Sequence, residues 1–247
     1  RGVLIACPTN ELRKALKCDT STHHTAFHLK VNGKEAGWDN GKPIINLDYY
    51  HTVVIDEGTQ FVGNWAKAAA LAKEHHCDFH VILDVDKWGR PRQLLPVESE
   101  FNWYGLTVAM PGKVTRVKGL DDIKRQSGQL KDLIKGIYKA RTNKKIVEFL
   151  GDRILKGNRE DVAASIVEKY VPLQDTVIVP THKDRMFLAS YDIEAQTCHS
   201  MIGKSVDCQL FVCTDAFEEC MLYTAAGRLR GASVANIHFF SLRSEKS

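Results

Sequence analysis

No apolar run in the sequence approaches the roughly 20 residues that a bilayer-spanning helix needs, so nothing in it reads as a membrane segment. No signal-peptide pattern occurs in it either. It contains no Cys-x-x-Cys pair. The seven cysteines, at positions 7, 18, 77, 198, 208, 213 and 220, are odd in number and follow no regular spacing, which argues against a disulfide scaffold and for reduced thiols in the cytoplasm or nucleus. Nor does one sign of charge dominate: 34 Lys and Arg stand against 30 Asp and Glu, a net +4 with a pI near 8.6. That mild basic excess tolerates an anionic partner without demanding one. What is present is ordinary for a globular protein with a normal core, with 44% apolar and 26% charged residues. The 247 residues allow one large domain or two of usual size. The sequence starts at Arg1 without an initiator Met and runs straight into an apolar segment, from which we expect a fragment whose N-terminal part is absent.

The most informative stretch is 52–61. Val53, Val54 and Ile55 form an apolar run without polar alternation, the pattern of a strand covered on both faces of a parallel sheet. Asp56 and Glu57 follow at once, so the strand delivers two adjacent acids to its carboxyl end, where open α/β sheets bind ligands. The plain alternative is a buried strand ending in a solvated turn.

Further apolar strands are expected at 3–7, 79–85, 176–180, 210–213 and 237–240, alternating with helices at 11–17, 66–76, 144–156 and 159–170. Leu130, Leu133, Ile134, Ile137 and Tyr138 share one face at helical spacing, with Asp121 as the expected N-cap. Residues 32–48, rich in Gly, Asn, Asp and Lys, predict a loop or hairpin. The adjacent His23 and His24 read as surface or capping residues. Strand and helix alternation throughout predicts α/β layers, with a change of texture near 100–120 that divides the chain into domains 1–105 and 106–247.

Several segments, among them Ala6-Cys7-Pro8-Thr9-Asn10, Val54-Ile55-Asp56-Glu57 and residues 222–230, stand in an order that resembles the motifs of superfamily 1 helicases of the RecD-like and Pif-like branch. Ala6-Cys7-Pro8-Thr9-Asn10 resembles the APTN segment, and Thr22-His23-His24-Thr25-Ala26-Phe27 the T-x-H-x-x-F stretch that follows it. Val54-Ile55-Asp56-Glu57 is similar to the Walker B motif, and residues 89–97 to the motif III pattern G-D-P-x-Q-L-x-P-V. Lys124-Arg125-Gln126-Ser127 resembles motif IV, residues 197–205 motif V and residues 222–230 motif VI. The resemblance spans residues 3–239 and implies two tandem RecA-like P-loop NTPase domains with parallel sheets, the first truncated at its N-terminus.

The resemblance also implies roles. Asp56 would orient Mg²⁺, Glu57 would activate the water that attacks the γ-phosphate of ATP, and Gln93 would sense that phosphate. Arg125 and Arg228 would come from the second domain as arginine fingers, with Gly203 and Arg230 also on the nucleotide. Thr9, Asn10, Thr22, His24, Thr181, His182, Thr197 and His199 would grip single-stranded nucleic acid, DNA with 5′-to-3′ movement in this branch, by its backbone or bases. Replication or repair proteins would be its partners. The short segment between Thr181 and Thr197 resembles that of helicases of large DNA viruses or mobile elements.

Departures from the pattern matter as much. The phosphate-binding loop G-x-x-x-x-G-K-[ST] does not occur in the 247 residues. Family members carry it just before the APTN segment, so the resemblance puts it upstream of Arg1 and implies that the 247 residues alone are inactive. Arg90 stands where the family has Asp, with Asp84 or Asp86 as nearby substitutes, Ile202 replaces Gln, and Gly227 replaces Ser or Thr. Three other readings stay open at this point. One is a nucleic-acid-binding module of the same fold that has lost catalysis, and another a P-loop ATPase outside the helicases. The third is a zinc site drawn from Glu74-His75-His76-Cys77-Asp78-Phe79-His80.

Overall fold

A computed structural model of the chain describes residues 2–31, 34–85, 91–96, 101, 103–110, 112 and 125–243. Two compact units divide it, Arg1–Arg116 and Val117–Ser247. Each is an α/β unit whose main sheet is wholly parallel, the class that the alternation of apolar strands and helices predicted.

Unit 1 runs β1 (Gly2–Cys7), α1 (Asn10–Ala15), β2 (Thr20–Thr22), α2 (His23–Ala26), the short hairpin strands β3 (Lys30–Val31), β4 (Lys34–Glu35), β5 (Trp38–Asp39) and β6 (Lys42–Pro43), then β7 (Tyr50–Ile55), α3 (Trp65–Glu74), β8 (Asp78–Val81) and α4 (Trp103–Ala109). The sheet order is β2-β1-β7-β8, with β3-β4 and β5-β6 as separate antiparallel pairs where a loop or hairpin was expected. Leu4, Ala6, Val53 and Ile55 are fully buried beneath Phe27, Phe61, Trp65 and Ala68. Val54 is only half-buried, so β7 is less completely covered than its uninterrupted apolar text predicted. Helix α3 forms from alanine-rich sequence behind an Asn64 cap, whose side chain accepts from the Lys67 amide at 3.0 Å. The sequence boundary at 105 falls inside α4, which packs on α3 and belongs to unit 1.

Unit 2 runs α5 (Gly128–Ala140), α6 (Asn143–Leu150), β9 (Ile154–Leu155), α7 (Arg159–Val167), β10 (Thr176–Val179), α8 (His182–Ala189), β11 (Ala195–Thr197), β12 (Leu210–Cys213), α9 (Met221–Ala226) and β13 (Ile237–Phe240), in sheet order β11-β10-β12-β13-β9. The apolar face of α5 is real: Leu130, Leu133, Ile134 and Ile137 are all buried. Ser127 takes the N-cap position of this helix, and the expected cap Asp121 lies outside the described residues. The helix expected over 144–156 stops at Leu150, because Gly151 takes φ +49° and the chain then pairs Ile154 and Leu155 with β13.

Candidate functional site

In unit 1 the turns that follow β2, β1 and β7 leave the same edge of the sheet side by side, since the three strands are parallel neighbours. Thr22 and His24, Thr9 and Asn10, and Asp56 and Glu57 therefore share one rim. Glu57 sits there on a left-handed backbone, φ +51° and ψ +50°, a region that a non-glycine residue rarely occupies and that clusters at functional sites. Gly58 must follow it: a Cβ at that position would meet Val81 Cγ1 at 2.5 Å, Leu83 Cδ2 at 2.8 Å and the Ile82 carbonyl oxygen at 3.1 Å. The same approach lets the Gly58 amide donate to the Ile82 carbonyl at 2.8 Å, which ends β8 at Val81, short of the expected 85.

Gln93 reaches this turn. Its Nε2 donates to Glu57 Oε2 at 3.3 Å and to Asp84 Oδ2 at 3.1 Å, so the three residues form one polar cluster. Arg92 Nε lies 3.8 Å from Asp84 Oδ1. Asp84 thus supplies a carboxylate beside Gln93, as one of its two expected positions would; Arg90, Asp86 and Lys124 lie outside the described residues.

In unit 2, Thr181 and His182 follow β10, and Thr197 ends β11 beside it in register with Val179. Thr181 is committed locally: its hydroxyl caps α8 by accepting from the Asp184 amide at 3.1 Å and donates to Asp184 Oδ2 at 2.6 Å. Thr22 is likewise a cap, accepting from the Thr25 amide at 3.2 Å. Thr197 is 9% exposed, and His199 Nε2 lies at ion-pair range, 3.5 Å, from Glu218 Oε2 but outside hydrogen-bond geometry. His182 is exposed.

The arginines gather in one corner of unit 2. The Gly231 amide donates to the Arg125 carbonyl at 3.2 Å, and the Ser127 amide to the Gly231 carbonyl at 2.8 Å. Arg125 is exposed. Arg228 is 4% exposed, with Nε donating to the Thr224 carbonyl at 2.8 Å and Nη1 to the Lys204 carbonyl at 3.4 Å, next to Gly203. Arg230 Nη1 faces Asp207 Oδ1 at 3.9 Å on the exposed surface, a contact of little energetic weight.

No protein-family model matches the chain, and no curated protein does. Among solved structures it is similar to one of DNA unwinding at forked duplex DNA by two coordinating Pif1 helicases, at 11% identity and TM-score 0.49, over 98% of this chain and 82% of that one. It is also similar to arterivirus nonstructural protein 10, a helicase in complex with DNA, at 14% identity and TM-score 0.39, over 99% of this chain and 55% of that one. At these levels neither likeness bears on the residues of the site.

Three side chains that organise the site were not singled out from sequence. His23 is 1% exposed, not at the surface, and its Nε2 lies 3.1 Å from the Ala6 carbonyl and 2.9 Å from the Asp56 carbonyl. Two acceptors facing one ring nitrogen require a hydrogen there. Burial pushes its pKa down to about 4, against the opposing effect of those two hydrogen bonds, so the ring is neutral near pH 7. Gln60 donates to the Leu94 carbonyl at 2.7 Å and so fastens the Gln93 segment to the Glu57 turn. Gln126 donates to the carbonyls of Gly227, at 3.2 Å, and Leu229, on either side of Arg228. A single buried histidine or a buried amide carries no sequence signal beyond its position next to a motif. Of the proposed zinc ligands, His75 instead bonds Asp48 Oδ1 at 2.8 Å. Among the described residues no three His, Cys, Asp or Glu form a group that could hold a metal, and no helix is long and apolar enough to cross a membrane.

Proposed function

We propose that the chain is the motor portion of an ATP-dependent nucleic-acid helicase, with two RecA-like domains that act on single-stranded nucleic acid, DNA by preference. The observation that carries this reading is the bridge from Gln93 Nε2 to both Glu57 Oε2 and Asp84 Oδ2 at the carboxyl edge of a parallel sheet. It joins a residue expected to sense phosphate to the residue expected to activate water, within one unit and across 36 positions of sequence.

The donor set fits Mg²⁺. This hard cation takes oxygen ligands and is usually held by one or two carboxylates together with waters and phosphate oxygens, so no all-protein cage is needed. Asp56 would hold the ion, which when bound neutralises charge on the triphosphate. Glu57 would accept the proton of the attacking water, and Gln93 keeps that carboxylate oriented through its amide. Arg125 and Arg228 would offer guanidiniums to phosphate charge, with Gly203 and Arg230 beside them. Thr9, Asn10, Thr22, His24, Thr181, His182, Thr197 and His199 lie on or next to turns after strand ends, where a strand crossing the carboxyl rims would meet them.

The test uses a protein in which these residues follow an intact G-x-x-x-x-G-K-[ST] loop. There Glu57→Gln should retain nucleotide binding and lower turnover about a hundredfold to ten-thousandfold, the usual contribution of a general base. Unchanged turnover would reject the role of Glu57. The 247 residues alone, without the loop sequence, should show no nucleic-acid-stimulated ATP hydrolysis.

One observation favours a second reading. The Arg228 guanidinium is 4% exposed and donates to two backbone carbonyls, which suits a structural arginine. On that reading the chain is a single-strand-binding module without catalysis. Strand binding with no stimulated turnover, even when the phosphate loop is present, would select it.

A further inference from the structure

His23 stands between two residues expected to touch a nucleic-acid strand, Thr22 and His24, yet its own side chain faces the other way, into the sheet. Its imidazole reaches from the end of β2 across β1 to the end of β7, with Nε2 3.1 Å from the Ala6 carbonyl and 2.9 Å from the Asp56 carbonyl. The Ala6 carbonyl also accepts from the Asp56 amide at 2.9 Å, so His23, Ala6 and Asp56 close a small ring of hydrogen bonds. The far side of the imidazole packs edge-on against Phe61, with centroids 5.6 Å apart. On the near side, the Thr22 cap and the bond from the Phe27 amide to the His23 carbonyl at 3.1 Å hold Thr22, His23 and His24 in one short helical turn. A ligand that displaces this turn must carry the Asp56 carbonyl with it or break a buried hydrogen bond.

We propose that His23 is a positioning residue that couples strand binding at Thr22 and His24 to the placement of the Asp56 and Glu57 carboxylates. The coupling rests on the nucleic-acid reading given above. It needs no global rearrangement, since the path from the strand-facing turn to the acids is one side chain long and lies within unit 1.

Wild type, His23→Leu and His23→Gln are compared with oligothymidylate as the probe, by fluorescence anisotropy for binding and by amide hydrogen exchange at Asp56 and Gly58. In wild type, binding should slow exchange at these two amides about tenfold. His23→Leu, which keeps bulk but has no donor, should bind within about twofold of wild type and show no slowing. His23→Gln, whose amide can donate to the same carbonyls, should restore it. Slowing retained in His23→Leu would overturn the coupling, and so would wild-type binding without slowing, while the nucleic-acid reading stood. Failure of wild type to bind any oligothymidylate would overturn both. Should His23→Leu not fold, the imidazole ¹⁵N signals of wild type decide: the His23 Nε2 signal must move when oligothymidylate binds, and a signal that stays in place overturns the proposal.

Discussion

Gln60 in unit 1 and Gln126 in unit 2 are each 5% exposed, and each spends its amide on backbone carbonyls of a loop beside an ionic residue. In unit 1 the amide of Gln60 fixes Leu94, and the neighbouring Gln93 then holds the half-buried carboxylate of Glu57. In unit 2 the amide of Gln126 fixes Gly227 and Leu229, and the ionic residue between them, Arg228, turns its guanidinium inward onto further carbonyls. The first loop is tied down by a neutral amide, with the carboxylate accepting from Gln93 at its edge. The second is held partly by its charge. On this contrast, loss of the Arg228 side chain should cost the fold more than loss of the Glu57 carboxylate.

The largest effect should come from breaking the second loop. Arg228→Leu removes the two bonds that the guanidinium donates to the Thr224 and Lys204 carbonyls, and at about 1–3 kcal/mol for each the loss should be about 2–6 kcal/mol. All four tryptophans, at 38, 65, 88 and 103, belong to unit 1, so their fluorescence follows that unit alone while far-UV circular dichroism follows both. In urea, the dichroism transition should split and its early phase should have no counterpart in fluorescence. An unchanged transition would mean that the guanidinium is not structural and is available to phosphate.

Next in size is a pH effect confined to unit 1. The His23 pKa is depressed in the folded protein, from 6.5 to about 4, chiefly by burial. A depressed histidine favours the neutral native form, so its contribution is complete above pH 6.5 and is lost as pH falls toward 4. The loss should amount to about 3 kcal/mol, at roughly 1.4 kcal/mol for each unit of pKa. Tryptophan fluorescence in urea should show unit 1 weakening across that window in wild type, and His23→Gln should flatten the dependence. A slope retained in the variant would assign the titration to another group.

The two glutamines offer a smaller and more symmetrical comparison. Gln60→Leu and Gln126→Leu should each cost about 1–3 kcal/mol, the former seen in fluorescence and the latter only in dichroism. If Gln126→Leu costs clearly more, the Arg228 loop depends on both its amide and its guanidinium, which sharpens the contrast. Equal costs would put the two clamps on the same footing.

Which parts of this arrangement were legible in the sequence follows from how far apart the interacting residues lie. Local text carried β1, β10, β12 and β13, the buried face of α5, and the acids at the end of β7, because apolar runs and helical spacing are set within a few residues. Gln93 was legible through its motif. The clamps were not: Gln60 meets Leu94 across 34 positions, His23 meets Asp56 across 33, and Gln126 meets Leu229 across 103. Nothing near a glutamine or histidine says which distant carbonyl will be brought to it. The same holds for β9, two residues that are a strand only because β13 lies alongside, and for β8, cut short because Gly58 takes the Ile82 carbonyl.

The smallest effect bears on why Glu57 occupies its strained position at all. Glu57→Ala and Glu57→Gly both remove the carboxylate and its bond to Gln93, and they differ only in the Cβ on a backbone at φ +51°. A side chain there should cost about 1 kcal/mol relative to glycine, after allowing for the greater freedom of glycine in the unfolded chain. Glu57→Gly should therefore unfold later in urea than Glu57→Ala by that amount, as followed by tryptophan fluorescence. The strain has a use if the acid must be aimed: a left-handed turn followed by Gly58, which cannot accept a Cβ, leaves the carboxylate few orientations and brings it to the Gln93 amide. Equal stability of the two variants would show that the turn stores nothing, and that the orientation of Glu57 rests on its side-chain contacts, the bond from Gln93 among them.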